Sequence, residues 1–274
     1  MCRFILYHGP EIPLADLITR PRNSLINQSF DAEWREEPLN GDGFGMAWYV
    51  PSMRAEPAVF RSITPAWSNP NLLDLAAVIR SGSILAHVRA ASPGLPVMEM
   101  NCHPFRAGKL AFMHNGFIPD FKPVRRRILE RISAEAFDII DGTTDSEHVF
   151  ALFVDQYRKR PSLGPALRAT LREIAEIAGP ERTSLLNLAV SDGTNAAVCR
   201  ATIGPDQSAS NSLFVHAGMQ YLCDGTECRM IDPSGQGTAT IVSSEPLSDD
   251  PGWMEVPQNH LVVLEQGELT VESL

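Results

Sequence analysis

Short apolar or alternating runs, each closed by Gly, Asn, Asp or Pro, fill the first part of the chain. CRFILY (2–7), GFGMAWYV (43–50), AVFRS (58–62), ILAHVRAA (84–91) and KLAFMHNG (109–116) have the pattern of strands. One helical pattern interrupts them, NLLDLAAVIRSG (71–82), with Asn69 or Asn71 as its cap and Gly82 as its stop. From Lys122 the period becomes helical. PVRRRILERIS (123–133), DSEHVFALFVDQYRKR (145–160) and LGPALRATLREIAEIAG (163–179) are the predicted helices. The second runs from acidic to basic residues, which suits the helix dipole. The third has Pro165 near its first turn and Gly179 at its end.

After Gly179 strands return. LLNLAVSDGTNAAVCRA (185–201) and QYLCDGTECRM (220–230) read as hairpins about Asp-Gly turns. GTATIVSSEPL (237–247) and HLVVLEQGELTVESL (260–274) complete the set, the last with a Gly-containing turn. Strands, then helices, then strands predict an α+β chain with mostly antiparallel sheets. No repeat, low-complexity tract or linker divides it, so residues 1–274 are expected to form one domain.

Composition narrows the function. Apolar residues make up 44% and charged residues 20% of the chain, enough for a core without cross-links. A formal net charge of −10, with histidine neutral, argues against nucleic acid as a partner. The basic cluster of Lys122, Arg125, Arg126, Arg127 and Arg131 lies on a predicted helix and reads as a solvated face. No apolar run reaches the length of a membrane span, and no basic-then-apolar leader opens the chain. Five cysteines, an odd count, predict reduced thiols in a cytoplasmic protein. Cys223 and Cys228 flank a turn, without a second pair to complete a zinc site. No metal and no cofactor are expected.

Five stretches carry candidate chemistry. Cys2, once Met1 is removed, would hold a thiol and a free α-amine on one residue; an α-amine titrates near pKa 7.7–8.0 and can take the thiol proton. The plainer reading is a small apolar residue starting a buried strand. GDGFG (41–45) is either a tight turn or a loop in which backbone approaches other backbone or a ligand closely. Arg89, at the end of an apolar strand, needs a carboxylate, from the protein or from a ligand. His87, two residues earlier, shares its face and reads as a core histidine. Asn115-Gly116 marks a hairpin turn, or offers an amide NH2 and a backbone N–H to one point, as an oxyanion hole requires. In TTDSEH (143–148), Thr144 or Asp145 caps a helix, or Asp145 presents its carboxylate to a ligand ammonium.

MCRF, NGDGFGMAWY, LAHVRAAS, NCHPF, FMHNG and GTTDSEH, in this order, resemble the class II glutamine amidotransferase domain, an N-terminal-nucleophile (Ntn) hydrolase. SSEPL and PGWMEVPQNHLVVL resemble the C-terminal part of a stand-alone subgroup. It includes the Dug3-like and YafJ-like proteins and the ergothioneine-pathway amidohydrolases, which cleave γ-glutamyl amides. The resemblance implies a four-layer αββα sandwich. It implies Cys2 as nucleophile, Asn115 and Gly116 as oxyanion hole, and Arg89 as the grip on the α-carboxylate of a γ-glutamyl group. Asp145, with Gly43 or a nearby backbone carbonyl, would bind the α-ammonium. Ser92 stands where relatives often have threonine and would support the carboxylate; Pro93 stands where some have histidine. Arg3 and His103 would be supporting groups. The implied activity is hydrolysis of a γ-glutamyl amide through a γ-glutamyl thioester. Two alternatives remain: the hydrolase subunit of a glutathione- or γ-glutamyl-peptide-degrading complex, and a non-catalytic γ-glutamyl-binding homologue. A small γ-glutamyl compound is the expected partner, with a separate ammonia-accepting or peptidase protein as a second. An unrelated reading pairs Cys102 with His103, but neighbours on a strand point to opposite faces.

Overall fold

The structure is a computed structural model that describes residues 2–34, 39–92, 94–225, 227–232 and 239–274. Met1, Pro93, Thr226 and the first two residues of the strand expected at 237–247 lie outside these. In chain order the strands are β1 (Arg3–Pro13), β2 (Phe44–Trp48), β3 (Ala58–Ser62), β4 (Arg80–Val88), β5 (Phe105–Ala107), β6 (Leu110–Phe117), β7 (Ser184–Ser191) and β8 (Ala196–Ile203). They continue with β9 (Phe214–Gly218), β10 (Gln220–Cys223), β11 (Cys228–Ile231), β12 (Ala239–Ser243), β13 (Met254–Glu255), β14 (His260–Glu265) and β15 (Glu268–Ser273). The helices are α1 (Ala15–Ile18), α2 (Leu25–Phe30), α3 (Pro70–Val78), α4 (Phe121–Leu129), α5 (Ala134–Phe137), α6 (Asp145–Lys159) and α7 (Leu163–Ala178).

Two antiparallel sheets stack between two helical layers. One sheet runs β13-β9-β12-β1-β4-β2-β3 and the other β15-β14-β8-β7-β6-β5. Three apolar cores fill the three spaces between layers. Ile5, Tyr7, Phe44, Met46, Ile84 and Ile241 pack the first sheet against Leu17, Leu25 and Leu72 of α1–α3. Phe112, Leu186, Leu188 and Cys199 pack the second against Phe150, Phe153, Leu167 and Ile174 of α6 and α7. Phe4, Leu6, Leu85, Met113, Ala189 and Val242 fill the space between the sheets. This is the αββα sandwich, and its cause is visible in β1: alternate side chains serve two different cores, so the strand is buried on both faces.

Several local expectations change. Asn69, not Asn71, caps α3, accepting from Leu72 N–H at 3.1 Å, with Pro70 in the first turn. Gly82 does not stop that helix. It ends at Val78, and Arg80 and Ser81 already pair with Pro13 and Ile12 of β1. Asn115-Gly116 is no turn: both lie inside β6, opposite Asn187 and Leu186 of β7. A Cβ on Gly116 would stand 1.8 Å from the Leu185 carbonyl oxygen, so close approach of the two strands demands glycine there. The expectation of five reduced thiols is also corrected. Cys223 and Cys228 sit directly opposite in the β10–β11 hairpin, 4.1 Å apart at Cα, and form a disulfide. A cysteine count cannot see that register. The basic cluster lies largely on the exposed face of α4, where Arg127 also donates to the Ile177 and Glu176 carbonyls at the end of α7. Among the described residues no helix is long and apolar enough to cross a membrane.

Burial disfavours the protonated form of five interior histidines. It holds His8 down to about 4 and His87 down to about 3, and it lowers His103, His114 and His148 as well. In the unfolded chain each titrates near 6.5. Below that pH the unfolded chain binds protons that the folded chain refuses. Folding stability therefore falls as pH drops from about 6.5 towards 4, by up to about 1.4 kcal/mol per pH unit for each of His8 and His87, with the other three adding in the same direction. Urea unfolding at steps between about pH 7.5 and 4.5 should show this decline; a midpoint that stays level across the window would contradict it.

Candidate active site

β1 carries Cys2 to one end of the inter-sheet space. Along the strand Cys2, Phe4 and Leu6 share a face, and Phe4 and Leu6 belong to the inter-sheet core. The Cys2 thiol is buried and lies over the backbone of Ala90, with Sγ 3.4 Å from its N–H and 3.6 Å from its carbonyl oxygen. Burial pushes the thiol above its ordinary pKa, more than the Ala90 hydrogen bond and the charges of Arg89 and Arg3 pull it down. No standing thiolate is favoured, so a nucleophilic Cys2 needs a base. Among the described residues no basic side chain is hydrogen-bonded to Sγ.

The glycine-rich loop explains how Ala90 is held. Arg89 N–H donates to the Gly43 carbonyl at 2.8 Å, Asp42 N–H to the Arg89 carbonyl at 3.0 Å, and Ala91 N–H to the Asp42 carboxylate at 2.8 Å. Gly43 adopts φ 114°, open to glycine at little strain, and a Cβ there would meet Cys102 Sγ and the Ser62 carbonyl oxygen, each at 2.7 Å. So GDGFG is a backbone latch for residues 89–91, and the Gly43 carbonyl is engaged by Arg89.

Arg89 is 3% exposed, yet no carboxylate pairs with it among the described residues. Its guanidinium makes two long bonds, each 3.5 Å, to the carbonyls of Asp42 and Pro96. A structural salt bridge, the plainer expectation for this arginine, is not formed. Ser92 is exposed further along the same loop, with its carbonyl accepting from Leu95 N–H.

Asn115 reaches the same end of the inter-sheet space from β6. It is 1% exposed; its Nδ2 donates to Ser244 Oγ at 3.4 Å and its backbone carbonyl accepts from Asn211 Nδ2 at 3.2 Å. Two residues past Gly116, Ile118 N–H donates to Asp145 Oδ2 at 2.8 Å. Thr144, not Asp145, is the side-chain cap of α6, accepting from Glu147 N–H. Asp145 sits in the first turn with Oδ1 on Ser146 N–H at 2.7 Å, half-buried and facing the end of β6. The capping role falls to Thr144, and the Asp145 carboxylate accepts from Ile118 and Ser146 instead.

His103 stacks on His87 at 4.2 Å, beneath the site, and His87 Nε2 donates to the His114 carbonyl. Cys102 turns instead towards the Ser62 and Met98 carbonyls, and burial lifts it to about 11. The Cys102–His103 dyad is not assembled. These residues are not on a strand: they connect a short turn at Glu99–Asn101 to β5. Among the described residues no group of three or more histidines, cysteines and carboxylates is placed to hold a metal ion.

Comparison with known proteins identifies the family. Residues 24–273 match the family model described as glutamine amidotransferases class-II. The chain belongs to the class-II glutamine amidotransferases. It is 38% identical to the probable glutamine amidotransferase DUG3 of Saccharomyces cerevisiae, over 97% of this chain and 82% of the relative. It is 27% identical to the gamma-glutamyl-hercynylcysteine sulfoxide hydrolase of Mycolicibacterium smegmatis, over the whole of both chains. Among solved structures, a glutamine aminotransferase class-II domain protein from Silicibacter pomeroyi superposes with TM-score 0.68 at 25% identity, covering 99% of each chain. The glutamine phosphoribosylpyrophosphate amidotransferase of B. subtilis shares the fold, with TM-score 0.62 at 15% identity, over all of this chain and 49% of that one. The enzyme class and the Ntn fold follow.

Sequence reading missed what holds the amidotransferase site together. Arg3 Nε donates to Glu245 Oε1 at 2.6 Å, and its Nη1 to the Cys2 carbonyl at 3.0 Å. Arg3 and Glu245 are 1% and 0% exposed. Glu245 Oε2 also accepts from Glu33 N–H and Asn23 Nδ2. The available signal was an arginine inside an apolar strand, which calls for an acid elsewhere. Removing one partner of a buried pair leaves a stranded charge and typically costs 3–5 kcal/mol. Glu245→Ala should lower stability by about that amount, whereas Arg22→Ala, which breaks the exposed Arg22–Asp249 pair, should change it by less than about 1 kcal/mol. Equal urea midpoints for Glu245→Ala and the parent protein would show that the pair carries no such weight.

Proposed function

We propose that this chain hydrolyses γ-glutamyl amides, with Cys2 as an N-terminal nucleophile exposed by removal of Met1. The observation that carries the reading is Arg89: a buried guanidinium beside the nucleophile's own contact, Ala90, with no carboxylate paired to it among the described residues. Such a group is an anion receptor, and a planar guanidinium suits a carboxylate. Asp145, at the opposite sign, suits the α-ammonium of the same amino-acid head. Ser92, on the Arg89 loop, supports the carboxylate, and Gly43 supports Arg89 through its carbonyl rather than touching the ammonium. Arg3 and His103 hold the surroundings of Cys2.

In this scheme the free α-amine of Cys2 takes the thiol proton, and Sγ attacks the γ-carbonyl carbon. Asn115 Nδ2 and Gly116 N–H stabilise the oxyanion. The C–N bond then breaks, and the departing amine takes the proton from the α-ammonium. Water attacks the γ-glutamyl thioester, giving γ-carboxylate and free thiol. The raised thiol pKa fits this order, because deprotonation accompanies attack. The site reads only the γ-glutamyl head, so glutamine and larger γ-glutamyl amides are both within its chemistry. The names of its relatives, a glutamine amidotransferase and a γ-glutamyl hydrolase, span that range. We place the reaction in the cytoplasm, where ammonia or an amine would pass to a separate acceptor or peptidase protein.

A glutamine-mimicking diazoketone followed by peptide mass mapping tests the nucleophile. The expected product is an N-terminal peptide lacking Met1 with the adduct on Cys2; a processed protein labelled elsewhere would overturn the assignment. Kinetics on a γ-glutamyl anilide separate the other roles. Asn115→Ala should lower kcat roughly 10²–10³-fold. Arg89→Ala should raise KM much more than it lowers kcat. A kcat unchanged by Asn115→Ala would remove the oxyanion role.

A further inference from the structure

The segment that follows β12, Ser243-Ser244-Glu245, meets both halves of the site. Glu245 holds Arg3. Ser244 does something different, and it is fully buried. Its N–H donates to the Phe4 carbonyl at 3.0 Å, and its Oγ accepts from Phe4 N–H at 3.0 Å. The same Oγ accepts from Asn115 Nδ2 at 3.4 Å. Its own carbonyl accepts from Ser212 Oγ at 2.8 Å, which fixes the residue from behind. One hydroxyl therefore joins the nucleophile's strand, in one sheet, to the side-chain amide of Asn115, in the other.

Asn115 depends on that contact. Its Oδ1 is buried and accepts no hydrogen bond, so Ser244 Oγ is the only hydrogen-bond partner of its side chain among the described residues. A side-chain NH2 has two hydrogens. Ser244 takes one and thereby aims the other.

We propose that Ser244 is a positioning residue for amide hydrolysis: its hydroxyl orients the Asn115 amide so that the second N–H points at the reacting carbonyl, in register with Cys2. The inference rests on the oxyanion role proposed for Asn115. A donor displaced by a fraction of an ångström stabilises the ground state and transition state unequally, so the loss falls on kcat rather than on KM. Ser244→Ala keeps the bond from its N–H to the Phe4 carbonyl but removes, with the hydroxyl, both the Asn115 contact and the acceptor of Phe4 N–H, so the reactivity of Cys2 is read separately.

The test is a double-mutant cycle on the processed enzyme with a γ-glutamyl anilide as substrate. Ser244→Ala should lower kcat about 10- to 100-fold and leave KM within about threefold. In an Asn115→Ala background the same change should alter kcat by less than about threefold, because the group it positions is gone. Alkylation of Cys2 by iodoacetamide, which needs no oxyanion hole, should keep its rate in Ser244→Ala. A purely structural role would instead slow or speed alkylation and give losses that multiply in the double variant; either result overturns the proposal. So does a normal kcat in Ser244→Ala when Asn115→Ala is impaired. If Asn115→Ala itself keeps full kcat, the oxyanion reading fails, and this inference fails with it.

Discussion

The buried pair between Arg3 and Glu245 is the constraint on which the site depends. A chain end is ordinarily the loosest part of a fold. Here residue 3 is locked by a 2.6 Å ion pair with almost no solvent contact, and its guanidinium also holds the Cys2 carbonyl. Two charges in such a place are tolerated because each is hydrogen-bonded more than once. The acid comes from a segment 242 residues away in sequence. Cys2 is therefore held through a segment that follows β12, the strand paired with β1.

Around that anchor the two sheets divide the work. The first supplies Cys2 on β1 and, from the end of β4, the loop with Arg89. The second supplies Asn115 and Gly116 on β6, and α6 supplies Asp145 next to the end of that strand. The space between sheets is apolar at its centre, where Phe4, Leu6 and Met113 meet. At the catalytic end it turns polar through groups that carry no charge: Asn115, Asn187, Asn211, Ser244 and neutral histidines. Asn187 Nδ2, for example, donates to the Asn211 and Ser212 carbonyls. Such groups satisfy buried backbone without adding further charge. The charges on Arg89 and Asp145 are of opposite sign.

The glycine-rich loop shows how a motif can be read correctly as backbone chemistry while its partner is left to the fold. GDGFG suggested close approach, and close approach is what occurs. The partner is the chain's own segment 89–91, which the loop latches under the thiol. Asn115-Gly116 teaches the converse. As a dipeptide it fits a hairpin turn, yet it lies within a strand because Gly116 lets the Leu185 carbonyl approach where no side chain fits.

Sequence by itself determined most of the strands, though not β5, β9 or β13, together with the three long helices, the hairpin at Asp192-Gly193 and the candidates Cys2, Arg89, Asn115, Gly116 and Asp145. Those features are local: apolar period, caps, turn residues, and motifs a few residues long. Tertiary structure decided the rest. It ended α3 at Val78 because the next residues were claimed by β1, and it joined Cys223 to Cys228 because the hairpin register set them face to face. It chose Glu245 for Arg3 and Ser244 for Asn115, and among the described residues it left Arg89 without an acid of its own. Each of these depends on which distant segments become neighbours. That is settled by packing two-sided strands into three cores at once, and no short window of sequence contains it.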